Sequence, residues 1–150
     1  MKETSSTPAH RILAIDFGAR NMGLAVSDEL GVTAQGLPTY RRGNKKADFD
    51  YLRRLIRQHG VQEIVMGLPL RMSGVEGIQA EKVQAFAEEL RRRFKLPVHL
   101  YDERLTSVEA NRLLRETEMS IHRRAEVVDR IAAVLILQSY LEFRRAAGSV

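Results

Sequence analysis

The stretch RILAIDFGARNMGLAVSD, residues 11–28, decides the fold of this chain. It contains one short apolar run that ends at Asp16 and a second that follows Asn21. Both runs are too short and too continuously apolar for an amphipathic helix, and glycines punctuate them, so they predict a β-hairpin. Gly18 lets another group approach Asp16 closely, and Gly23 removes a side chain that would block the strand face above this carboxylate.

Asp16 is the first candidate functional residue. A carboxylate at the end of a buried strand is costly to desolvate, and a divalent metal ion would offset that cost. Aspartate is also a common turn residue, so Asp16 taken alone is equally well explained as the start of the turn. The choice depends on whether other acidic residues gather near it.

Length and composition indicate one compact domain. The chain has 150 residues with 44% hydrophobic content, enough for one core and too few for two domains of ordinary size. We expect a disordered extension over residues 1–10, a single domain over 11–146 and a tail over 147–150. The absence of cysteine excludes disulfides and thiol chemistry. No stretch approaches the roughly 18 apolar residues of a membrane span, so we expect a cytoplasmic protein without membrane contact.

The charge balance suits a polyanionic partner. Lys and Arg number 24 against 19 Asp and Glu, a net charge of +5. Much of the excess lies in short basic clusters, at residues 41–42, 45–46, 53–54, 91–93, 122–124 and 144–145. Such clusters are typical of nucleic-acid-binding surfaces, although charge runs are more often only solvated faces.

Beyond the hairpin, hydrophobic periodicity predicts strands that alternate with helices. We expect strands over residues 33–40, 61–67 and 97–101, and helices over 47–59, 78–94, 106–117 and about 125–144. Three antiparallel strands followed by this alternation indicate an α/β fold, with a five-stranded mixed sheet flanked by helices.

Acidic residues converge in such a fold. Asp16 ends the first strand, Asp102 and Glu103 end the fifth, and Asp129 lies in the last helix, which must cover one face of the sheet. Converging acids repel one another unless a cation holds them. Oxygen ligands without soft partners specify Mg²⁺ or Mn²⁺, and a pair of such ions supports in-line displacement at phosphorus. The pattern therefore predicts a metal-dependent phosphodiesterase.

Two ligand assignments stay open. Side chains alternate across a strand, so normally only one of Asp102 and Glu103 can face Asp16, and we favour Glu103. Glu126 lies one helical turn before Asp129 and could be a fourth ligand. A first-turn acid that complements the helix dipole is the alternative explanation for Glu126.

Four motifs occur in order along the chain: DFGARNMGLAVSD at residues 16–28, GLPLRMSGVEG at 67–77, DERLTSVEA at 102–110 and DRIAAVLILQ at 129–138. Together they resemble the YqgF/RuvX family over about residues 11–143. The resemblance implies an RNase H-like fold and a cytoplasmic nuclease that processes the 5′ end of pre-16S ribosomal RNA. It also implies an older label, Holliday junction resolvase.

The same resemblance implies site residues and partners. Asp16, Glu103 and Asp129 match the catalytic acids of the family and would bind Mg²⁺ or Mn²⁺, as two ions. We expect nucleic-acid contacts from basic residues near these motifs, namely Arg20, Arg71, Arg104, Arg123 and Arg124. The substrate would be structured RNA or branched DNA. The protein would be a monomer or a homodimer, because a symmetric junction needs two paired cuts whereas trimming an RNA end needs one site.

The chain departs from the family pattern at a few positions. Asn21 stands where a second basic residue is usual, and Arg71 and Ser73 stand where Asn and Asp are usual. Relatives that cleave junctions carry an acid at the end of the fourth strand, where this chain has Gly67. Glu103 must then supply that carboxylate from the neighbouring strand.

Two other function classes compete with a nuclease. Asp-x-Gly beside an apolar strand also resembles the first phosphate loop of actin-like sugar kinases, but those enzymes need a second similar domain, which 150 residues cannot hold. A non-catalytic nucleic-acid-binding module would keep the fold and lose an acid. All three acids are present here, which favours a nuclease, and the non-catalytic module stays an alternative because family likeness alone does not establish activity.

Overall fold

A computed structural model describes residues 10–69, 74–103 and 121–148. These residues form one five-stranded sheet and three helices. The strands are β1 (Arg11–Phe17), β2 (Asn21–Ser27), β3 (Ala34–Arg41), β4 (Val61–Leu68) and β5 (Val98–Asp102). The helices are α1 (Lys45–His59), α2 (Gly74–Phe94) and α3 (Ile121–Ala146).

The sheet is mixed, with strand order β3-β2-β1-β4-β5. β2 pairs with β1 and β3 in antiparallel fashion, whereas β4 is parallel to β1 and β5 is parallel to β4. The predicted hairpin and the predicted five-stranded mixed sheet, antiparallel over its first three strands, are therefore confirmed. Its parallel part brings the carboxyl ends of β1, β4 and β5 to one edge.

The helix ends follow local capping chemistry. α1 begins at Lys45, slightly before the predicted start, because the side chain of Asn44 accepts a hydrogen bond from the backbone N–H of Ala47 at 2.8 Å. Gly60 ends it in the left-handed conformation, with φ of 64°. The other predicted boundaries in the described elements lie within four residues of those observed. The predicted helix over 106–117 and residues 1–9 of the predicted extension lie outside the described residues.

Both faces of the sheet are buried, which explains why the sequences of its central strands are continuously apolar. On one face, alternate side chains such as Leu13 and Ile15 pack against α1 and α2. On the other face, Ile12, Ala14 and Ala25 pack against α3. Alanines on this second face let α3 lie close to the sheet. None of the helices in the described ranges is long and apolar enough to span a bilayer.

A buried carboxylate anchors the last turns of α3. Glu63 of β4 is 5% exposed and accepts hydrogen bonds from the Tyr140 hydroxyl and from Nη1 of Arg144, each at 2.7 Å. Ring nitrogens of His10 and His99 each lie 2.8 Å from the same carboxylate. Burial raises the pKa of Glu63, but the hydrogen bonds from His10, Tyr140 and Arg144 outweigh it, so the pKa lies below its usual value.

This lowered pKa makes the stability of the protein depend on pH. A carboxyl whose pKa is lower in the folded state stabilises the fold above its unfolded pKa, about 4.3, and loses this effect as pH falls through the folded pKa. We expect Glu63→Gln to reduce the free energy of unfolding by about 2 kcal/mol at neutral pH. The difference from wild type should shrink towards pH 3, measured by urea unfolding followed by circular dichroism. An equal difference at both pH values would contradict this assignment.

Candidate active site

Asp16 is the penultimate residue of β1 and is 5% exposed. It pairs with Gly23 across the antiparallel ladder of β1 and β2, so the two residues face the same side of the sheet. Its neighbours Ile15 and Phe17 belong to the core beneath α1 and α2. Because side chains alternate along a strand, Asp16 faces the opposite side, which α3 covers.

α3 lies very close to the sheet at Gly23. A Cβ built on this glycine would overlap the backbone carbonyl oxygen of Asp129, and would lie 2.5 Å from the carbonyl carbon and 3.1 Å from Cα of that residue. The helix backbone at Asp129 therefore rests on the residue opposite Asp16. The sequence predicted that Gly23 keeps this face clear, and the structure identifies what occupies the space.

Gly67 has a similar role beside Glu103. It lies one residue beyond the pair that Ile15 and Met66 form between β1 and β4, so it neighbours Asp16 on the α3 side. A Cβ on Gly67 would lie 2.9 Å from Cγ and 3.1 Å from Oε2 of Glu103. The Glu103 carboxylate thus lies over Gly67, in the space that a side chain at this position would fill.

The alternation of β5 separates Asp102 from Glu103. Tyr101 packs in the core beneath α3, whereas Leu100 packs against the core of the opposite face. Asp102, the last residue of β5, therefore falls on the α1 and α2 side, and Glu103 falls on the same side as Asp16. Both residues are half-buried.

Two features of the acidic residues suit a metal ion: the chemistry of their donor atoms and the positions of their backbones. Asp16, Glu103 and Asp129 lie at three positions on one side of the sheet and would supply the hard oxygen donors that Mg²⁺ or Mn²⁺ requires. In the part of the chain that the structure describes, no three Asp, Glu or His side chains form a group that could hold an ion as they stand. The structure brings the three positions together, and their role in binding metal stays a prediction.

Arg20 lies exposed in the turn between β1 and β2. Its neighbour Arg42 is not among the residues that the sequence predicts for the site. The backbone N–H of Arg42 donates to the Arg20 carbonyl at 2.8 Å. Nη1 of Arg42 donates to the carbonyls of Gly18 and Ala19, and its Nε donates to Asp48. Arg42 therefore holds the turn that follows Asp16. No local sequence signal predicts this role, because its partners in the turn lie more than 20 residues away.

The other predicted contact residues are less fully described. Arg71 and Arg104 lie outside the described residues. Arg123, Arg124 and Glu126 lie in the first turns of α3, in a segment whose side chains are outside the described part.

Asp28, the last residue of the first motif, has a structural role. Its carboxylate accepts hydrogen bonds from the backbone N–H of Val32 at 2.8 Å and from the hydroxyl of Thr33 at 3.1 Å. The bond from Val32 is the main cause that lowers the pKa of Asp28. These contacts hold the loop between β2 and β3.

Comparison with known proteins gives close relatives. A family model described as "RuvX: Holliday junction resolvase" matches residues 10–143. A protein named "Putative pre-16S rRNA nuclease" from Koribacter versatilis is 59% identical over 144 residues, which cover 96% of this chain and 94% of that protein. A protein of the same name from Moorella thermoacetica is 52% identical over 132 residues, which cover 88% of this chain and 94% of that protein.

A solved structure shares the fold at low sequence identity. T. thermophilus RuvC, in complex with a Holliday junction substrate, matches with a TM-score of 0.61 and 13% identity. The match covers 93% of this chain and 97% of that chain. The likeness supports the predicted RNase H-like architecture.

Proposed function

We propose that this chain, which belongs to the RuvX family, is a metal-dependent nuclease that hydrolyses phosphodiester bonds at the 5′ end of pre-16S ribosomal RNA. The observation that carries this proposal is the placement of Asp16, Glu103 and Asp129 on one side of the sheet, with Gly23 and Gly67 making room for them. The names of the relatives at 59% and 52% identity support the RNA substrate. We place the activity in the cytoplasm, as the sequence predicts.

In this proposal, acidic residues of the site bind metal and a basic residue contacts the substrate. A divalent ion, Mg²⁺ or Mn²⁺, supplies Lewis acidity and lowers the pKa of an attacking water when bound. Asp16, Glu103 and Asp129 would hold it, as a pair of ions in the two-ion form. Since α3 leaves Asp16 only 5% exposed, the surroundings are poor in water and strengthen its attraction for a cation. Arg20, exposed at the adjoining turn, would contact a phosphate of the substrate.

The experiment that tests the substrate compares two labelled nucleic acids in the presence of Mg²⁺ or Mn²⁺. One is an RNA that carries the 5′ leader of 16S ribosomal RNA, and the other is a synthetic four-way DNA junction. We expect cleavage of the RNA. Cleavage of the junction alone would favour the second candidate, a Holliday junction resolvase, which the description of the family model supports. That activity would require a homodimer for two paired cuts.

The Asp129→Ala variant should lose cleavage and bind Mn²⁺ more weakly, with little change in melting temperature. The contact at Gly23 is made by the backbone of residue 129, which alanine retains. Alanine also has a higher helix propensity than aspartate. Calorimetric titration with Mn²⁺ and thermal melting monitored by circular dichroism would check both parts. A large loss of stability with Mn²⁺ binding preserved would place Asp129 in a structural network instead.

Binding of nucleic acid should weaken steeply as salt rises. The chain has a net charge of +5. When its Lys and Arg side chains contact phosphates, they displace cations from the nucleic acid, whatever the base sequence. We expect affinity to fall about tenfold or more between about 50 and about 200 mM salt. Fluorescence anisotropy with an inactive variant and several RNA sequences measures this. A flat titration would count against binding through the phosphate backbone.

A further inference from the structure

A cavity of about 550 Å³ lies beside the turn that follows Asp16, on the side of the sheet that α1 and α2 cover. Its volume is typical of sites that bind small ligands. Its wall begins at Phe17, the residue after Asp16. Aromatic, basic and polar side chains from three segments line it, among them Phe17, Arg42, Lys45, Gln79, Lys82 and Phe86.

The floor of this cavity is a stack of aromatic rings. The ring centroids of Phe17 and Phe86 lie 4.3 Å apart, and those of Phe49 and Phe86 lie 5.0 Å apart. All three rings are buried in the core. Gln79 fixes the same wall, because its side-chain amide donates to the Phe17 carbonyl at 2.8 Å. The floor is therefore closely packed, and a hydrogen bond holds the adjoining wall.

Arg42 presents a fixed planar group to the cavity. Its guanidinium carbon lies 4.4 Å from the centroid of the Phe17 ring, so one face of the plane rests on that ring. Bonds from Nη1 to the Gly18 carbonyl at 2.9 Å and from Nε to Asp48 at 3.2 Å hold the plane in place. The side chain is still 27% exposed and lines the cavity. A guanidinium held in this way is a ready stacking surface for a nucleobase.

The rim of the cavity carries an excess of positive charge. Glu89 accepts hydrogen bonds from Arg93 and Arg92, which lower its pKa to about 2. Its carboxylate, 3.4 Å from Nζ of Lys45, is thus shared among three cations. Lys82 is exposed and makes no ion pair with any residue in the described ranges. These lysines suit a phosphate group.

We propose that this cavity binds one unpaired nucleotide of the nucleic-acid substrate, with its base stacked on Arg42 and its phosphate contacted by Lys82 and Lys45. The inference rests on the proposed function: a strand bound beside Asp16 would cross the end of β1, where Phe17 is the next residue, to reach the cavity on the other side of the sheet. The preferred substrate is then an RNA with a single-stranded segment beside the bond that is cut.

Two variants test this site by different means. Ala85→Phe fills the cavity without changing charge, since Ala85 is exposed and lines it. Lys82→Gln removes the positive charge at this position. Matched controls are Gln84→Phe, which adds a ring to an exposed position of α2 outside the cavity lining, and Lys46→Gln, which removes a lysine that pairs with Asp50 on α1.

Binding is measured by fluorescence anisotropy in EDTA, so that no cleavage occurs, after circular dichroism has shown that each variant is folded. The probes are an RNA duplex with a single-stranded 5′ extension, the same duplex with blunt ends, and AMP as a competitor. We expect Ala85→Phe and Lys82→Gln to weaken binding of the extended RNA about tenfold. Binding of the blunt duplex, and binding by the controls, should change far less.

Each contrary outcome identifies what has failed. Wild-type affinity of Ala85→Phe for the extended RNA overturns the proposal, and so does an equal loss for both duplexes. Competition by AMP that Ala85→Phe abolishes, with RNA binding unaffected, would identify a free nucleotide as the ligand and overturn the assignment to the strand. Because these measurements need no metal, absence of cleavage by the wild-type protein would reject the proposed nuclease without affecting them.

Discussion

The Asp16→Asn variant is expected to lose RNA cleavage by about a hundredfold or more while remaining folded. Asparagine keeps the volume of the side chain at this buried position and removes the negative charge that would hold a cation. Initial rates of cleavage in Mg²⁺ and in Mn²⁺ measure the loss. Thermal melting and anisotropy with labelled RNA should show that the fold and most of the RNA affinity are retained.

The matched control for this variant is Asp50→Asn. Asp50 lies on α1, pairs with Lys46 at 2.7 Å and is half-exposed, so its replacement also removes one negative charge. We expect normal cleavage by this control. Normal turnover by Asp16→Asn would contradict the assignment of Asp16 to the active site. An unfolded Asp16→Asn protein would show that the fold itself needs the carboxylate.

Gly23→Ala is expected to cause the largest loss of stability, about 3 kcal/mol, together with loss of activity. The added methyl group would overlap the carbonyl oxygen of Asp129, and a backbone atom cannot rotate away as a side chain would. α3 must therefore shift from β2, which displaces residue 129 from the position opposite Asp16. Urea unfolding gives the change in free energy, and cleavage assays below the unfolding transition give the change in activity.

Gly77→Ala provides the comparison, because it makes the same chemical change in a different setting. Gly77 is exposed within α2, and a Cβ there would meet nothing within 4 Å. Alanine should stabilise that helix by up to about 1 kcal/mol. If Gly23→Ala were as stable as Gly77→Ala, the close packing of α3 against β2 would be wrong. The position of Asp129, which depends on this packing, would then also be wrong.

The architecture could be predicted from the sequence because its signals are local. Continuous apolar runs in β1, β2 and β4 reflect burial on both faces, and Gly60 and the helical periodicity before it mark the end of α1. The alternation that separates Asp102 from Glu103 is also visible in the sequence, since it needs only the period of a strand.

The contacts between distant segments could not be predicted in this way. The sequence indicates that Gly23 needs an empty space, but only the packing of α3 identifies the backbone of Asp129 as its occupant. Glu63 meets Tyr140 and Arg144, which lie 77 and 81 residues away. The plane of Arg42 is set by partners in an earlier turn and in α1. Such contacts leave no periodic trace in the sequence.

Anomalous X-ray diffraction from crystals soaked in Mn²⁺ tests the central claim most directly, because it locates the ion relative to the three carboxylates. The account predicts an anomalous peak within coordination distance of Asp16 and of Glu103 or Asp129, on the side of the sheet that α3 covers, and no such peak for Asp16→Asn. A fully occupied Mn²⁺ ion elsewhere in a crystal of active protein, with nothing beside Asp16, would contradict it.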